Sequence, residues 1–322
     1  LILKADWNDA LDQVGNARKG DSIMLACWTI YCLREFFPCM EFMGDRKRKA
    51  AYERRLKKLA DTINRIGWDG DWYQRAMHDS GYILGTRKDK YAKIWSDPNS
   101  FAIVCGVADE KRRARIFKAF ERHLDHELGS YPFHPPYMEP EPRAGIISRF
   151  APGTKENGSI FGHCSRWRIW AELHAGRGDK AYEILSKMLP ATRHAADPKR
   201  YRIEPYAACQ FITAPESGLP GEGSHSWATG TAAWTLIVVW EHLFGVRAEV
   251  DGLRIDPCMP KAWTTARMQR TYRGATYDIL ISKKKGICRG PVSVVLDGRP
   301  IAGSLLPILG DGQTHLVEVT VG

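Results

Sequence analysis

The sequence predicts a mainly α-helical protein that ends in a small all-β domain. Apolar residues recur at helical spacing through the first two-thirds of the chain. After about residue 250 they give way to short alternating runs with turn residues between them. The length, 322 residues, allows one large domain or two modest ones. The expected division is a helical domain over residues 1–250 and a β domain over 251–322.

Residues 22–37 read as an apolar helix that Pro38 closes. Residues 46–65 read as a long charged helix with Leu56, Leu59, Ile63 and Ile66 as its apolar stripe. Residues 109–128 open on Asp109, which suits a helix N-terminus, and carry the stripe Ile116, Phe117, Phe120 and Leu124. Residues 161–175 form an aromatic-rich helix, and residues 179–189 a short one stopped by Pro190. Residues 223–244 hold a helix that is apolar on most faces and is therefore expected to be buried. Long Gly/Pro/aromatic loops fill 68–100, 129–158 and 191–226, and loops of this length usually carry function. Helices joined by such loops suit an α/α toroid whose loops converge on one face. Short strands are expected at 252–258, 268–272, 276–282, 292–296 and 316–321, with turns at Arg273-Gly274 and Asp297-Gly298.

Composition narrows the function classes. Hydrophobic residues make up 44% and charged residues 26%, the balance of a folded globular chain. No apolar run reaches the roughly 18 residues of a bilayer span, and the stretch 234–244 is broken by Glu241 and His242. No leader peptide is visible, although the chain opens on Leu1 and not on Met, as a fragment would. The net charge of +10 is concentrated in 46–58 and 111–122, read as solvated helix faces and not as a nucleic-acid surface. The eight cysteines show no CxxC and no paired Cys/His ligand spacing. They are expected to be buried, reduced thiols in the cytoplasm, with no metal site.

Four polar-aromatic clusters have the residue types for sugar and anion chemistry. Asp6-Trp7-Asn8-Asp9 sets an indole among carboxylates, which suits the apolar face and hydroxyls of a pyranose; the same residues equally suit a cap or turn. Lys155-Glu156-Asn157-Gly158 precedes His163 at a helix start, where an anion is welcome. Glu156 reads as a catalytic carboxylate, a partner of Lys155 or a cap. Glu204-Pro205-Tyr206 is followed by Gln210. Residues 221–231 are dense in Gly and hydroxyl groups, and serve either as an anion cradle or as a tight helix entry. They lack the P-loop pattern.

In order and spacing these clusters resemble glycoside hydrolase family 94, the inverting phosphorylases of cellobiose, cellodextrins, chitobiose and related β-glucosides. The matching blocks are ADWNDALDQVG at 5–15, WDGDWYQRAMHDSGYILG at 68–85 and APGTKENGSIFGH at 151–163. GRGDKAYEILSKMLP at 176–190, RIEPYAACQ at 202–210, GEGSHSWATGTAAW at 221–234 and GLRIDPCMPKAW at 252–263 complete them. The resemblance spans nearly the whole chain and corresponds to the C-terminal part of a longer protein. It implies part of an (α/α)6 toroid followed by a small antiparallel β-sandwich or jelly-roll-like domain. The family's N-terminal β-sandwich, linker helices and first barrel helices would precede Leu1, so the 322 residues alone are expected to lack part of the site.

The resemblance also implies roles. Asp9 is the general acid, and Trp7 and Gln210 line the donor-sugar site. Lys155 lies in a block that faces the acceptor side, and Glu156 beside it is expected to bind substrate. His163, Thr229 and Gly230 hold phosphate. One departure concerns the acceptor: Ile146 stands where cellobiose phosphorylases carry a Glu, and Phe150 where they carry a Tyr. A longer oligosaccharide or a different sugar then replaces free glucose.

An inverting hydrolase needs two carboxylates, whereas a phosphorylase needs only the acid, because phosphate is already a nucleophile. Asp9 must keep its proton near neutral pH, through burial or through a neighbouring carboxylate such as Asp6. The expected product is α-glucose 1-phosphate, with oligosaccharide and phosphate as partners, no organic cofactor or metal, no nucleic acid and no membrane. A homodimer is expected at full length. Two other readings stay open: a toroidal glycoside hydrolase with Glu156 or Glu222 as base, and a non-catalytic glucan-binding region of a large glucan synthase.

Overall fold

The computed structural model describes residues 1–322. The chain divides into two units, one of Leu1–Ala171 with Ile184–Ala232 and the other of Glu172–Glu183 with Ala233–Gly322.

In the first unit, helix α1 (Ile23–Phe42) starts where Ser22 Oγ accepts from Leu25 N at 3.1 Å, a serine N-cap. It runs through Pro38 and does not stop before it. An internal proline forfeits one N–H bond, and packing of α1 on helices α2 (Arg46–Ile66) and α3 (Ser96–Val104) offsets that loss. The chain reverses at Gly44, whose φ is +72°, and Asp45 caps α2 through Arg48 N at 3.1 Å. By length and composition α1 also passes the test for a membrane span, contrary to the expectation that no segment does. Core helices reach the same length and composition, and Arg34 and Glu35 interrupt the apolar run of α1.

In α2 only Leu56 and Ile63 are buried, and Ile66 is exposed. Helix α4 (Glu110–His123) is capped by Asp109 and buries Ile116, Phe117 and Phe120, as its stripe predicts. Helix α3 begins inside the segment read as loop, at 96–100, and continues through residues for which no element is expected. All nine of its residues are buried, so it has no polar face, and it opens on Ser-Asp-Pro-Asn, which reads as a turn.

Helices α5 (Gly162–His174), α6 (Gly178–Met188), α7 (Pro190–Ala196), α8 (Pro198–Tyr201) and α9 (Thr231–Ile237) follow. A three-stranded antiparallel sheet joins Ile160–Phe161, Cys209–Ile212 and Gly223–Ser226, with Cys209–Ile212 in the centre. Two of these strands fall where helices were expected to begin, and the third in an expected loop. Helix α9 starts only at Thr231 and continues as a π-helical turn, Val238–Leu243. It is not the buried helix its composition suggests, since Ala232, Ala233 and Leu236 are exposed.

In the second unit a five-stranded sheet has the order Thr265–Tyr272, Ala275–Lys283, Thr314–Val321, Val292–Leu296, Arg299–Pro300. All expected strands are present. The sheet is nevertheless mixed, because Ala275–Lys283 and Thr314–Val321 run parallel. Parallel neighbours need a crossover, and residues 284–313 supply it while contributing a strand to the far side of Thr314–Val321. A second sheet holds Val246–Glu249, Gly252–Ile255 and Leu305–Leu306. Val246, Leu253, Ile255 and Leu306 share one core with Tyr277, Ile279, Ile281, Val317 and Val319. Both predicted turns have positive φ at each central residue, 44° and 84° at Arg273-Gly274 and 47° and 76° at Asp297-Gly298, the backbone of type I′ turns. All eight cysteines are free, but Cys32 and Cys39 are exposed on α1, contrary to expectation.

Candidate active site

The three-stranded sheet gathers three of the sequence clusters. Phe161 pairs with Phe211, and Ser224 pairs with Phe211 from the other side. His163 therefore starts α5 beside the strand that carries Gln210, and the strand Gly223–Ser226 delivers the turn to Thr229 and Gly230. The approach is close. A Cβ on Gly162 would lie 2.2 Å from Thr231 Oγ1 and 3.0 Å from the Gln210 carbonyl oxygen. A Cβ on Gly230 would lie 3.0 Å from His163 Nε2. Glycine at both positions leaves room for the Thr231 and His163 side chains and the Gln210 carbonyl. Thr229 Oγ1 lies 2.9 Å from Thr231 Oγ1 and accepts from Thr231 N at 3.2 Å. Thr231, the last residue of the 221–231 cluster, thus joins Thr229 and Gly162 at this turn, although the resemblance gave it no role of its own.

The His163 ring packs among aromatics, 5.4 Å from Trp7, 5.7 Å from Phe161 and 6.1 Å from Trp167. Both of its ring nitrogens are buried without a hydrogen-bond partner in the protein. Burial, with the Arg166 charge adding, pushes its pKa down to about 4, so the imidazole is neutral at pH 7. Trp7 is half-buried and meets Trp167 edge-on at 4.5 Å.

The KEN turn is held by Asn157, which is fully buried. Its amide donates to Tyr137 O at 2.9 Å and to Phe150 O at 2.8 Å, and its oxygen accepts from Tyr137 N at 2.8 Å. Lys155 adopts φ +46° and sets its ammonium 4.7 Å from the Phe150 ring centre. Burial raises the Glu156 pKa, and the charge of Asp9 raises it further. Glu222, the other candidate base, accepts from Arg202 at 2.9 Å. Glu204 accepts from the indole N–H of Trp227 at 3.1 Å, and Trp227 and Tyr206 are exposed.

The Asp9 side differs from expectation. Asp9 is exposed, so this chain does not bury it. Asp6 is not an unpaired neighbour of Asp9: Arg75 holds both its oxygens, at 2.7 and 2.8 Å. Burial alone would raise the Asp6 pKa, and the Arg75 guanidinium overrides this and keeps it below the ordinary value. This pair was not foreseen, because Asp6 looks like a turn residue and its partner is 69 positions away. No three His, Cys, Asp or Glu side chains are grouped so as to hold a metal ion.

Known proteins bear on this arrangement. Solabiose phosphorylase of Paenibacillus borealis is 35% identical over 99% of this chain and 42% of its own length. The cyclic beta-(1,2)-glucan synthase NdvB of Rhizobium meliloti (strain 1021) is 33% identical over 88% of this chain and 10% of its own. The chain thus spans well under half the length of these relatives. The solved structure of a sialidase aligns with a TM-score of 0.62 at 13% identity, over 96% of this chain and 28% of that one, a likeness of fold alone. The family model described as "Glycosyl hydrolase 94 superfamily, catalytic domain" matches residues 1–245, and the chain belongs to that family.

Proposed function

We propose that the chain is the C-terminal part of the catalytic region of an inverting glycoside phosphorylase. It cleaves a β-glucoside (cellobiose, a cellodextrin or a related β-glucan oligosaccharide) with inorganic phosphate, giving α-glucose 1-phosphate and a shortened sugar. In this reading the helical unit is part of an (α/α)6 toroid. Asp9 protonates the glycosidic oxygen, Trp7 and Gln210 hold the donor sugar, and Lys155 and Glu156 face substrate. Phosphate sits on His163, Thr229 and Gly230 and attacks C1 from the opposite face. The observation that carries the reading is His163, whose two buried, unpartnered nitrogens lie against Gly230 and beside Trp7. A neutral imidazole there donates one N–H to an oxyanion, and a charge-assisted bond of this kind is about twice as strong as a neutral one.

The step needs no metal or organic cofactor, since phosphate is itself the nucleophile. Ile146, which is exposed, and Phe150 at the acceptor positions favour an acceptor other than free glucose. A cytoplasmic homodimer is the form proposed for the full-length enzyme. The similarity to the glucan synthase supports a second reading, a glucan-binding region without turnover. One experiment separates the readings: the full-length protein is incubated with β-glucosyl disaccharides, with and without phosphate. Phosphate-dependent α-glucose 1-phosphate is expected. Free glucose formed equally without phosphate marks a hydrolase, and binding without product marks the second reading.

A further inference from the structure

We propose that Arg75 is a positioning residue for the general acid, acting through Asp6 to fix the backbone that carries Asp9. The proposal rests on the reading of Asp9 as acid. Four donors converge on the buried Asp6 carboxylate. Arg75 supplies two, Ser22 Oγ donates to Oδ2 at 2.6 Å and the Asn8 N–H donates to Oδ1 at 3.0 Å. Asn8 passes the constraint on. It is buried, and its side-chain oxygen accepts from Ala10 N at 3.2 Å. Ala10 O in turn accepts from Ile147 N at 2.9 Å, and Asn8 O accepts from Leu11 N at 3.0 Å. The residues on both sides of Asp9 are therefore tied down, while the Asp9 side chain is exposed.

Arg75 is itself held through both its backbone and its side chain. Its side chain is fully buried, with Nε 2.9 Å from Asp97 Oδ2 and its guanidinium 5.3 Å from the Trp95 ring centre. Its backbone N–H donates to Leu84 O at 2.8 Å, and its carbonyl accepts from Ile23 N at 3.2 Å. A Cβ on Gly85 would lie 2.7 Å from Arg75 N, and Gly85 has φ +85°. A buried ion pair contributes little net stability over an apolar substitute, but the four hydrogen bonds on the Asp6 carboxylate fix its geometry. The network assigns a task to the 68–85 block, which the proposed reaction otherwise leaves without one: it holds the loop of the 5–15 block.

The test uses Asp6→Asn and Arg75→Lys in the full-length enzyme, with Asp9→Asn alongside. Phosphorolysis of a disaccharide needs a proton on the leaving oxygen, whereas a dinitrophenyl β-glucoside leaves without one. A misplaced acid should therefore lower kcat on the disaccharide by about 10²-fold. Turnover of the dinitrophenyl glucoside and the KM for phosphate should stay within about twofold, since neither needs the proton. Arg75→Lys keeps the charge but not the two-pronged grip, so its loss should be smaller with the same substrate signature. Equal losses on both substrates, no loss on either, or failure of both variants to melt cooperatively overturns the proposal in favour of a purely structural role. If Asp9→Asn fails to discriminate between the substrates, the acid assignment falls and the proposal with it. If Asp9→Asn discriminates and the other two do not, only the positioning role falls.

Discussion

Around His163 two buried ring nitrogens have no partner in the protein, whereas around Asp6 both carboxylate oxygens are saturated by Arg75, Ser22 and the Asn8 N–H. These two regions belong to the same unit. A buried polar group without a partner costs about 1–3 kcal/mol, which a ligand that supplies the missing bond returns. A saturated carboxylate has nothing left to offer a ligand and serves as an anchor. In the proposed reading the contrast separates a group that binds from a group that holds, with Asp9 as the exposed carboxylate beside the anchor.

The largest effect expected from this contrast is at Asp9. Asp9→Asn is nearly isosteric and disturbs neither network. It should lower kcat for disaccharide phosphorolysis by about 10²–10⁴-fold, the usual cost of losing a general acid. The KM for phosphate should be unchanged, because the proposed reading puts the anion at His163. Initial rates at varied phosphate decide the point. A variant that keeps a third of the wild-type rate removes Asp9 from the acid role.

A smaller and complementary effect belongs to His163. His163→Ala should raise the KM for phosphate about 10- to 100-fold, the equivalent of one hydrogen bond to a charged group. The KM for the glucoside should change far less. Equal rises in both constants would show that the imidazole supports the sugar site through Trp7 and not the anion.

How much of this was legible in the sequence differs between the same two regions. Trp7, His163, Gln210, Thr229 and Gly230 were recognisable because their blocks keep a family order, and the structure brings His163 and Gly230 together. The sheet that does so was not legible. Ile160–Phe161 is two residues long, too short to show alternation, and Gly223–Ser226 contains no apolar residue. The Asp6–Arg75 clamp was invisible for another reason: an ion pair across 69 positions leaves no local pattern. Helix α3 was lost because a wholly buried helix shows no period. In the second unit the strands were found by alternation, but the parallel pairing of Ala275–Lys283 with Thr314–Val321 was not, since alternation carries no strand direction.

The smallest expected effect is on stability, and it has opposite signs on the two sides. His163 has a pKa of about 4, lowered by burial with Arg166 adding, against about 6.5 in an unfolded chain. A lowered histidine favours the fold above pH 6.5 and loses that contribution as pH falls through 4. Asp97, behind Arg75, is pushed up to about 6 by burial, with the Asp6 charge adding and Arg75 opposing, against about 3.9 unfolded. Its contribution is complete below pH 3.9 and is lost as pH rises through 6. Between pH 4 and 6 the two slopes therefore oppose each other. His163→Gln should flatten the acid side of the unfolding free energy by about 1–2 kcal/mol between pH 6.5 and 4, after discounting for partial solvent access. Asp97→Asn keeps the neutral form at every pH. Its stability relative to wild type should therefore rise between pH 4 and 6. Urea unfolding of both variants at half-unit pH steps reads the two slopes directly. Parallel curves for wild type and His163→Gln would mean that the imidazole is solvated in the fold, and the contrast between the unpartnered His163 and the saturated Asp6 would then be lost.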